Sequence, residues 1–116
     1  MVHGVGIEIV SVERFLAVMD RRGEKFLRRL FTEAELRYCK RKKSPAVHLS
    51  ARFAAKRSLF KALGRSLGYA SVEVVHDGNG APSLAVEGPG IDGLRCSLSI
   101  SHSADYSIAE TIVEKI

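Results

Sequence analysis

The sequence predicts an α+β fold with antiparallel strands packed against one long helix. Apolar residues alternate with polar or small ones at the start of the chain and again in the second half, a pattern typical of strands. Between these regions the apolar spacing is helical, most clearly in RFAAKRSLFKALG at residues 52–64. A length of 116 residues without repeat or linker predicts a single domain spanning residues 1–116.

The first strand is predicted at residues 2–10, because successive side chains there point to opposite faces. One face carries Val5, Ile7 and Ile9, and the other carries Gly4, Gly6 and Glu8. Glycine within a strand often marks the close approach of a ligand or of another backbone. Glu8 is therefore a candidate functional carboxylate; the alternative is an edge-strand glutamate that faces water.

Helices are predicted to follow this strand. Ser11 can cap a helix that runs to about Arg21, and Gly23 ends it before a short helical turn. Thr32 and Glu35 have the spacing of a capping box at the start of the next helix. After the loop KKSP, a long helix is expected at residues 47–67.

The second half of the chain predicts two antiparallel strand pairs. SVEVVHD and PSLAVEG flank GNGA, which is a strong hairpin signal. RCSLSISH and DYSIAETIVE form the last pair across Ser103 and Ala104, and EGPGIDG between the two pairs predicts a loop.

Composition restricts the class of partner and the compartment. The net charge of +5, concentrated between Arg21 and Lys61, favours nucleic acid, an acidic protein or a phosphorylated small molecule, unless it is only a solvated surface. Cys39 and Cys96 are far apart and predict reduced thiols. No apolar run could span a membrane and no leader is evident, so we expect a cytoplasmic protein with no membrane association.

The long helix carries an unusual distribution of charge. Four cations and no carboxylate lie between its residues 52 and 64: Arg52, Lys56, Arg57 and Lys61. At roughly 100° per residue, Lys56 projects into the middle of the apolar face, ~20° from Leu49. Such a helix either extends its cations past a core or binds an anion.

Other polar residues could also carry chemistry. His102, at the end of SLSISH, can bind phosphate or can be a boundary histidine; the absence of a GxSxG elbow argues against a Ser-His hydrolase. GRSLG at residues 64–68 can hold phosphate through backbone N–H groups, although it is not a Walker loop and can simply end the helix. His3, His48 and His76 lack metal-ligand spacing with His102.

The order and spacing of these segments resemble the holo-[acyl-carrier-protein] synthases, which are small trimeric 4′-phosphopantetheinyl transferases. The segments that carry the resemblance are GVGIEIVSVERF, FTEAEL, HLSARFAAKRSLFKALG, DGNGAP and SLSISHSADYSIAETIVE. The resemblance implies a homotrimer that uses Mg²⁺ to transfer 4′-phosphopantetheine from coenzyme A to a serine of apo-acyl carrier protein. Adenosine 3′,5′-bisphosphate would be released.

The resemblance also implies roles for individual residues. The residues expected to bind coenzyme A, at a site shared between neighbouring subunits, are Arg52, Lys56, Lys61, Gly64 and His102. Those expected to contact acyl carrier protein are Arg14, Arg21, Arg22, Arg28 and Arg29. Glu8, Arg57 and Lys61 are the expected catalytic residues, and Glu8 is the expected metal ligand.

Two positions depart from the family pattern, and both belong to its metal site. Glu8 replaces the family's aspartate, and Arg57 replaces a glutamate that binds the metal. A guanidinium cannot bind Mg²⁺. Three outcomes follow: weakened Mg²⁺ binding with reduced activity, an Arg57–Glu8 pair that grips the pyrophosphate in place of the metal, or a homologue that binds coenzyme A or carrier protein without transfer. A nucleic-acid binder is the remaining alternative, but no DNA- or RNA-binding motif supports it.

Overall fold

The computed structural model describes all 116 residues and confirms the α+β class. The elements, in chain order, are β1 (Val2–Ser11), α1 (Val12–Arg22), α2 (Glu24–Leu30), α3 (Glu33–Lys40), α4 (Pro45–Leu63), a 3₁₀ turn (Tyr69–Ser71), β2 (Val72–His76), β3 (Pro82–Val86), β4 (Leu94–His102) and β5 (Tyr106–Lys115). No helix is both long enough and apolar enough to cross a bilayer.

The strands form two antiparallel sheets. The larger sheet has the order β1-β5-β4, so that the first strand of the chain pairs with the last, and Glu8 lies opposite Ala109. β2 and β3 form a separate hairpin. Both strand pairs expected in the second half of the chain are therefore confirmed, and residues 87–93 between them contain no helix.

The caps expected for the first helices are confirmed. The Ser11 hydroxyl accepts a hydrogen bond from the Arg14 backbone N–H at 3.2 Å, and Gly23, at φ 78°, ends α1. Thr32 and Glu35 form both hydrogen bonds of the capping box at the start of α3. These local signals fix where the chain turns between β1 and the long helix.

α4 is the central element of the fold, but its predicted limits at residues 47 and 67 were wrong. Pro45 occupies the first turn, where its fixed φ favours a helix start, and Gly64 ends the helix in the left-handed conformation. Twelve of its residues are buried: Ala46, Leu49, Ser50, Ala51, Arg52, Ala54, Ala55, Lys56, Ser58, Leu59, Phe60 and Ala62. The helix is thus enclosed on most sides, and small residues let its neighbours approach closely.

β1 packs against α4 through its glycines. A Cβ atom at Gly6 would lie 1.9 Å from the Ser58 carbonyl oxygen, and one at Gly4 would lie 1.9 Å from that of Ala62. Neither position has room for a side chain. The close approach expected from the glycines is therefore that of another backbone, and it holds Glu8 beside the last two turns of α4.

The opposite face of the larger sheet is exposed and largely apolar along β1 and β5. Val5, Ile7 and Ile9 on β1 are each more than half exposed, and Tyr106 and Ile108 on β5 are exposed as well. We call these five residues the outer sheet face. Ser97, Ser99 and Ser101 of β4 continue this face with small polar residues.

Candidate active site

Glu8 lies between two cations of α4. One carboxylate oxygen accepts a hydrogen bond from Arg57 Nε at 2.5 Å, and the other accepts one from Lys61 Nζ at 3.2 Å. Arg57 and Lys61 are one helical turn apart, so both reach the same strand residue. Lys61 also donates to the Ile7 carbonyl at 2.9 Å, and Arg57 donates to the Tyr69 hydroxyl at 3.3 Å. The proximity of Arg57 to Glu8, one of the arrangements expected from the sequence, is present.

The electrostatics of this cluster favour its charged form. Partial burial works to raise the pKa of Glu8, but the hydrogen bonds and charges of Arg57 and Lys61 outweigh it and lower that pKa. The hydrogen bond from Arg57 to Glu8 in turn raises the pKa of Arg57. Glu8 is therefore an ionised carboxylate that orients the two cations, and a weak proton acceptor.

A cavity of about 280 Å³ opens on the far side of Arg57 and Lys61. Its walls carry no carboxylate and three cations, which are Arg57, Lys61 and Arg65. The other lining residues are Phe60, Gly64 and Ser66. Arg65 is held in place by a hydrogen bond to the Pro89 carbonyl. We call this space the cationic cavity; its lining suits an anion with several charges, such as a pyrophosphate.

An apolar groove of about 330 Å³ lies on the other side of Arg57 and Glu8. Its apolar lining comes from β1, α1, α2 and α4, namely Ile9, Val10, Phe15, Val18, Phe26 and Phe53, with Arg14 and Ser11 also present. Arg57 and Glu8 thus separate a charged compartment from an apolar one.

Arg52 and His102 belong to a different cavity, of about 370 Å³, which also contains Tyr38, His48 and His76. Arg52 Nη2 lies 3.4 Å from His76 Nδ1, and the His48 and His102 rings are 5.4 Å apart between centroids. We call this the histidine pocket. The residues expected at the coenzyme A site therefore form two separate groups within one chain: Lys61 and Gly64 in the cationic cavity, Arg52 and His102 here.

Sequence patterns did not single out His48 and His76 as partners of Arg52. A signal for His48 was available, because it lies four residues before Arg52 and therefore on the same side of α4. No sequence signal indicated His76, at the end of β2, because its position relative to Arg52 depends on how the hairpin packs.

The five arginines expected to contact a carrier protein are all exposed on α1 and α2. Arg21, Arg22, Arg28 and Arg29 occupy the last turns of these helices, and Arg14 lines the apolar groove. We call this group the arginine surface; it continues directly from the groove beside Glu8 and Arg57.

Sequence comparison identifies the family of the chain. The model of the 4′-phosphopantetheinyl transferase superfamily matches residues 4–110. The holo-[acyl-carrier-protein] synthase of Thermodesulfovibrio yellowstonii is 37% identical over 115 residues, covering 97% of this chain and 99% of that protein. That of Chlorobaculum parvum is 37% identical, with 97% of this chain and 98% of the relative covered. The chain belongs to the holo-[acyl-carrier-protein] synthase family.

Solved structures of holo-[acyl-carrier-protein] synthases share the fold over its whole length. The Bacillus anthracis protein, in complex with coenzyme A (3′,5′-ADP), superposes with a TM-score of 0.88 at 30% identity, covering 100% of this chain and 99% of that one. The Neisseria meningitidis protein gives a TM-score of 0.89 at 31% identity, with 99% and 100% covered. The expected family and fold are thereby confirmed.

The Mg²⁺ that the resemblance implies does not fit the residues present around Glu8. Mg²⁺ prefers oxygen donors in octahedral geometry, commonly one or two carboxylates with phosphates and water. Here Glu8 is the one carboxylate beside the cationic cavity, and Arg57 and Lys61 engage both of its oxygens. No group of three or more potential ligand side chains is present elsewhere in the chain. The guanidinium of Arg57 cannot bind a metal ion, so it cannot take the ligand role that the resemblance implies for a glutamate at this position.

Lys56 does not fit the expectation that it binds a phosphate of coenzyme A. Its side chain is fully buried, and its ammonium donates to Glu35 Oε1 at 2.7 Å, to the Leu30 carbonyl at 2.7 Å and to the Tyr69 carbonyl at 3.0 Å. All three donors are thus used inside the protein. Helical spacing correctly placed Lys56 among apolar residues, but it could not reveal the acidic partner on α3.

Proposed function

We propose that this chain is a holo-[acyl-carrier-protein] synthase that transfers 4′-phosphopantetheine from coenzyme A to a serine of apo-acyl carrier protein. The observation that carries the proposal is the cationic cavity beside Glu8. The family resemblance assigns Lys61 and Gly64 to coenzyme A binding, and the walls of this cavity carry three cations and no carboxylate. Adenosine 3′,5′-bisphosphate is the second product.

The reaction follows from the position of the cations. The serine hydroxyl attacks the phosphorus that carries pantetheine, and the bond from this phosphorus to the bridging oxygen breaks. The electron pair leaves with adenosine 3′,5′-bisphosphate, and the serine proton passes to water, since Glu8 is a weak base. Arg57 and Lys61 stabilise the negative charge that develops on the leaving phosphate, while Glu8 holds both in position.

We further propose that Arg57 supplies the positive charge that Mg²⁺ supplies in the family. Its Nε is bound to Glu8 while its head group lines the cationic cavity, so terminal N–H groups remain for a pyrophosphate. A guanidinium lacks the Lewis acidity and the templating of a metal ion, so we expect slow turnover.

Charge complementarity supports an acidic protein as acceptor. The arginine surface lies next to the groove that leads to Arg57 and Glu8, and carrier proteins of the family are acidic. Rim charges of this kind mainly accelerate association. Arg14 is the residue of this group that lines the groove, and we assign to it the positioning of the carrier's serine.

A homotrimer is the assembly we propose. The outer sheet face exposes five large apolar side chains on two adjacent strands, with the exposed Glu110 opposite Ile7. An exposed apolar patch of this kind is typical of a protein interface. Assembly would also explain the two separate groups of coenzyme A residues. The histidine pocket of one subunit would complete the cationic cavity of its neighbour.

The proposal is tested by incubating the protein with coenzyme A and several apo-carrier proteins, with Mg²⁺ or with EDTA, and measuring holo-carrier by mass spectrometry. We expect product at similar rates under both conditions. Activity that requires Mg²⁺ would contradict the role of Arg57 while retaining the transferase. Coenzyme A binding by calorimetry without any product would instead indicate a non-catalytic binding module.

The variant Arg57→Glu tests the position directly. It restores a second carboxylate opposite Glu8, so we expect transfer to become dependent on Mg²⁺ and to stop in EDTA. Arg37→Glu makes the same charge change on the exposed surface of α3 and is the matched control. An unchanged response to EDTA in Arg57→Glu would show that residue 57 does not take the place of the metal.

A further inference from the structure

The histidine pocket concentrates basic groups around one buried arginine. Arg52 is only 4% exposed, and its Nε has no hydrogen-bond partner. Its other nitrogens make only long contacts, Nη1 with the His48 carbonyl at 3.5 Å and Nη2 with His76 Nδ1 at 3.4 Å. No carboxylate lies within salt-bridge distance of Arg52. A buried guanidinium without a counterion is costly, and an anion is the group that would offset the cost.

The surroundings of the pocket come from four elements. α4 contributes His48 and Arg52, β2 contributes His76, β4 contributes His102, and α3 contributes Tyr38, whose ring stacks on His76 at 5.8 Å and lies under Arg52 at 4.6 Å. Lys42 and Asp77 are the further charged groups that act on the histidines. Glu35 and Glu73 line another cavity with Arg52, but they are bound to Lys56 and Thr32 respectively.

We propose that His48 and His76 act with Arg52 in binding a phosphate monoester of the coenzyme A donor, and that their protonation makes this affinity depend on pH. The inference rests on the proposed function, because it assigns new residues to the same substrate. A monoester carries close to two negative charges at neutral pH, and a guanidinium flanked by two imidazolium groups matches that charge better than arginine alone. The N–H groups of protonated histidine would also donate hydrogen bonds to its oxygens.

The direction of the pH effect follows from the two states of the pocket. In the free protein, burial lowers the pKa of His48, and the nearby His102, Lys42 and Arg52 lower it further. Burial and Arg52 likewise lower the pKa of His76, against the opposing effect of Asp77. A bound phosphate raises both values, so binding takes up protons. The affinity is then highest below the pKa values of the free protein and falls as the pH rises from those values to the higher pKa values of the complex.

The experiment is calorimetry of coenzyme A, 3′-dephospho-coenzyme A and inorganic phosphate with the whole protein between pH 6.5 and 8.5. Buffers of different ionisation enthalpy report the number of protons taken up. We expect coenzyme A to bind roughly three- to tenfold more tightly at pH 6.5 than at pH 8.5, with proton uptake. The dephospho compound should bind more weakly and lack this dependence, which identifies the monoester and not the pyrophosphate as the group recognised.

The variants His48→Asn and His76→Asn should each weaken coenzyme A binding at pH 6.5 and reduce the proton uptake, with little effect at pH 8.5. His3→Asn removes an exposed histidine outside the pocket and should leave the pH profile unchanged. Tight binding of coenzyme A with the same affinity at all pH values would overturn the inference and leave the proposed function intact. Failure to bind coenzyme A at any pH would count against the proposed function itself.

Discussion

At the scale of single residues, Lys56 and Glu35 form the buried ion pair that joins α3 to α4. Burial lowers the pKa of Lys56, and the charge of Glu35 opposes that shift. Glu35 is fully engaged as well, because it accepts hydrogen bonds from the backbone N–H groups of Thr32 and Val74, both at 2.9 Å. Removing one member of such a buried pair leaves the charge of the other member uncompensated in an apolar interior. The pair therefore matters for stability mainly through the cost of breaking it.

Replacing Lys56 with Met should therefore lower the free energy of unfolding by about 3–5 kcal/mol, because it leaves the buried charge of Glu35 uncompensated. Urea denaturation measures the change. The double variant Lys56→Met/Glu35→Gln should recover part of the loss. Lys40→Met breaks the exposed pair with Glu24 and should cost less than about 1 kcal/mol. If Lys56→Met were as stable as the wild-type protein and bound coenzyme A more weakly, this would contradict the structural role and indicate that Lys56 binds a phosphate of coenzyme A.

The contrast between Lys56 and Arg57 shows what residue patterns can predict. Helical spacing placed Lys56 on an apolar face, but a spacing rule describes one helix and cannot identify the acid that packs opposite it. The pairing of Arg57 with Glu8 was foreseeable, since the family motifs put both at one site and their charges are opposite. The histidine pocket was not, because its members come from separate elements whose packing is a property of the folded chain.

At the scale of elements, the contact between β1 and α4 sets the geometry of the candidate active site. Glu8 can reach Arg57 and Lys61 because Gly4 and Gly6 let the strand backbone touch the helix. The glycine pattern predicted a close approach, and the local caps predicted the starts of α1 and α3. The start of α4 was placed two residues late because Pro45 was assigned to the preceding loop. Its end was placed at residue 67 because GRSLG offers two glycines that can stop a helix, and Gly64, the first of them, is the one that does so.

The variant Gly6→Ala tests this contact. The added methyl group would overlap backbone atoms of α4, which cannot move independently, so we expect a loss of about 1–3 kcal/mol in the free energy of unfolding and reduced transfer activity. Thermal denaturation and the carrier assay measure the two effects. Gly78→Ala, where the new Cβ meets nothing within 4 Å, is the control. Equal melting temperatures for the two variants would contradict the close packing.

At the scale of the whole molecule, the outer sheet face is the feature that favours association between copies of this chain. Pairing within each hairpin was predictable, because the paired strands follow one another in sequence. The order β1-β5-β4 was not, since it joins the two ends of the chain and no local pattern reports a contact over that separation. That same pairing places Ile9 directly opposite Ile108 and so extends the apolar face across two strands, with the exposed Glu110 opposite Ile7.

Ile7→Glu should dissociate the proposed trimer, because it replaces a central apolar side chain of this face with a second carboxylate directly opposite Glu110. Light scattering after size exclusion gives the mass, which is expected to fall from that of a trimer to that of a monomer. Transfer activity should fall with it if neighbouring subunits complete one site. Val75→Glu, on the exposed side of the separate hairpin, should leave both properties unchanged. A monomeric wild-type protein would rule out this assembly.

The contact between Glu8 and Arg57 also has a bearing on protein engineering. Chimeras between this chain and relatives that retain two acids at these positions would need to exchange the first strand and the central helix together. A hybrid with acids on both sides would suffer charge repulsion unless a divalent ion were supplied. A hybrid that carries Glu8→Asp opposite Arg57 would have a side chain too short by a methylene to keep the present hydrogen bonds. The two positions therefore behave as one transplantable unit, and gene shuffling among relatives should recover them as linked pairs.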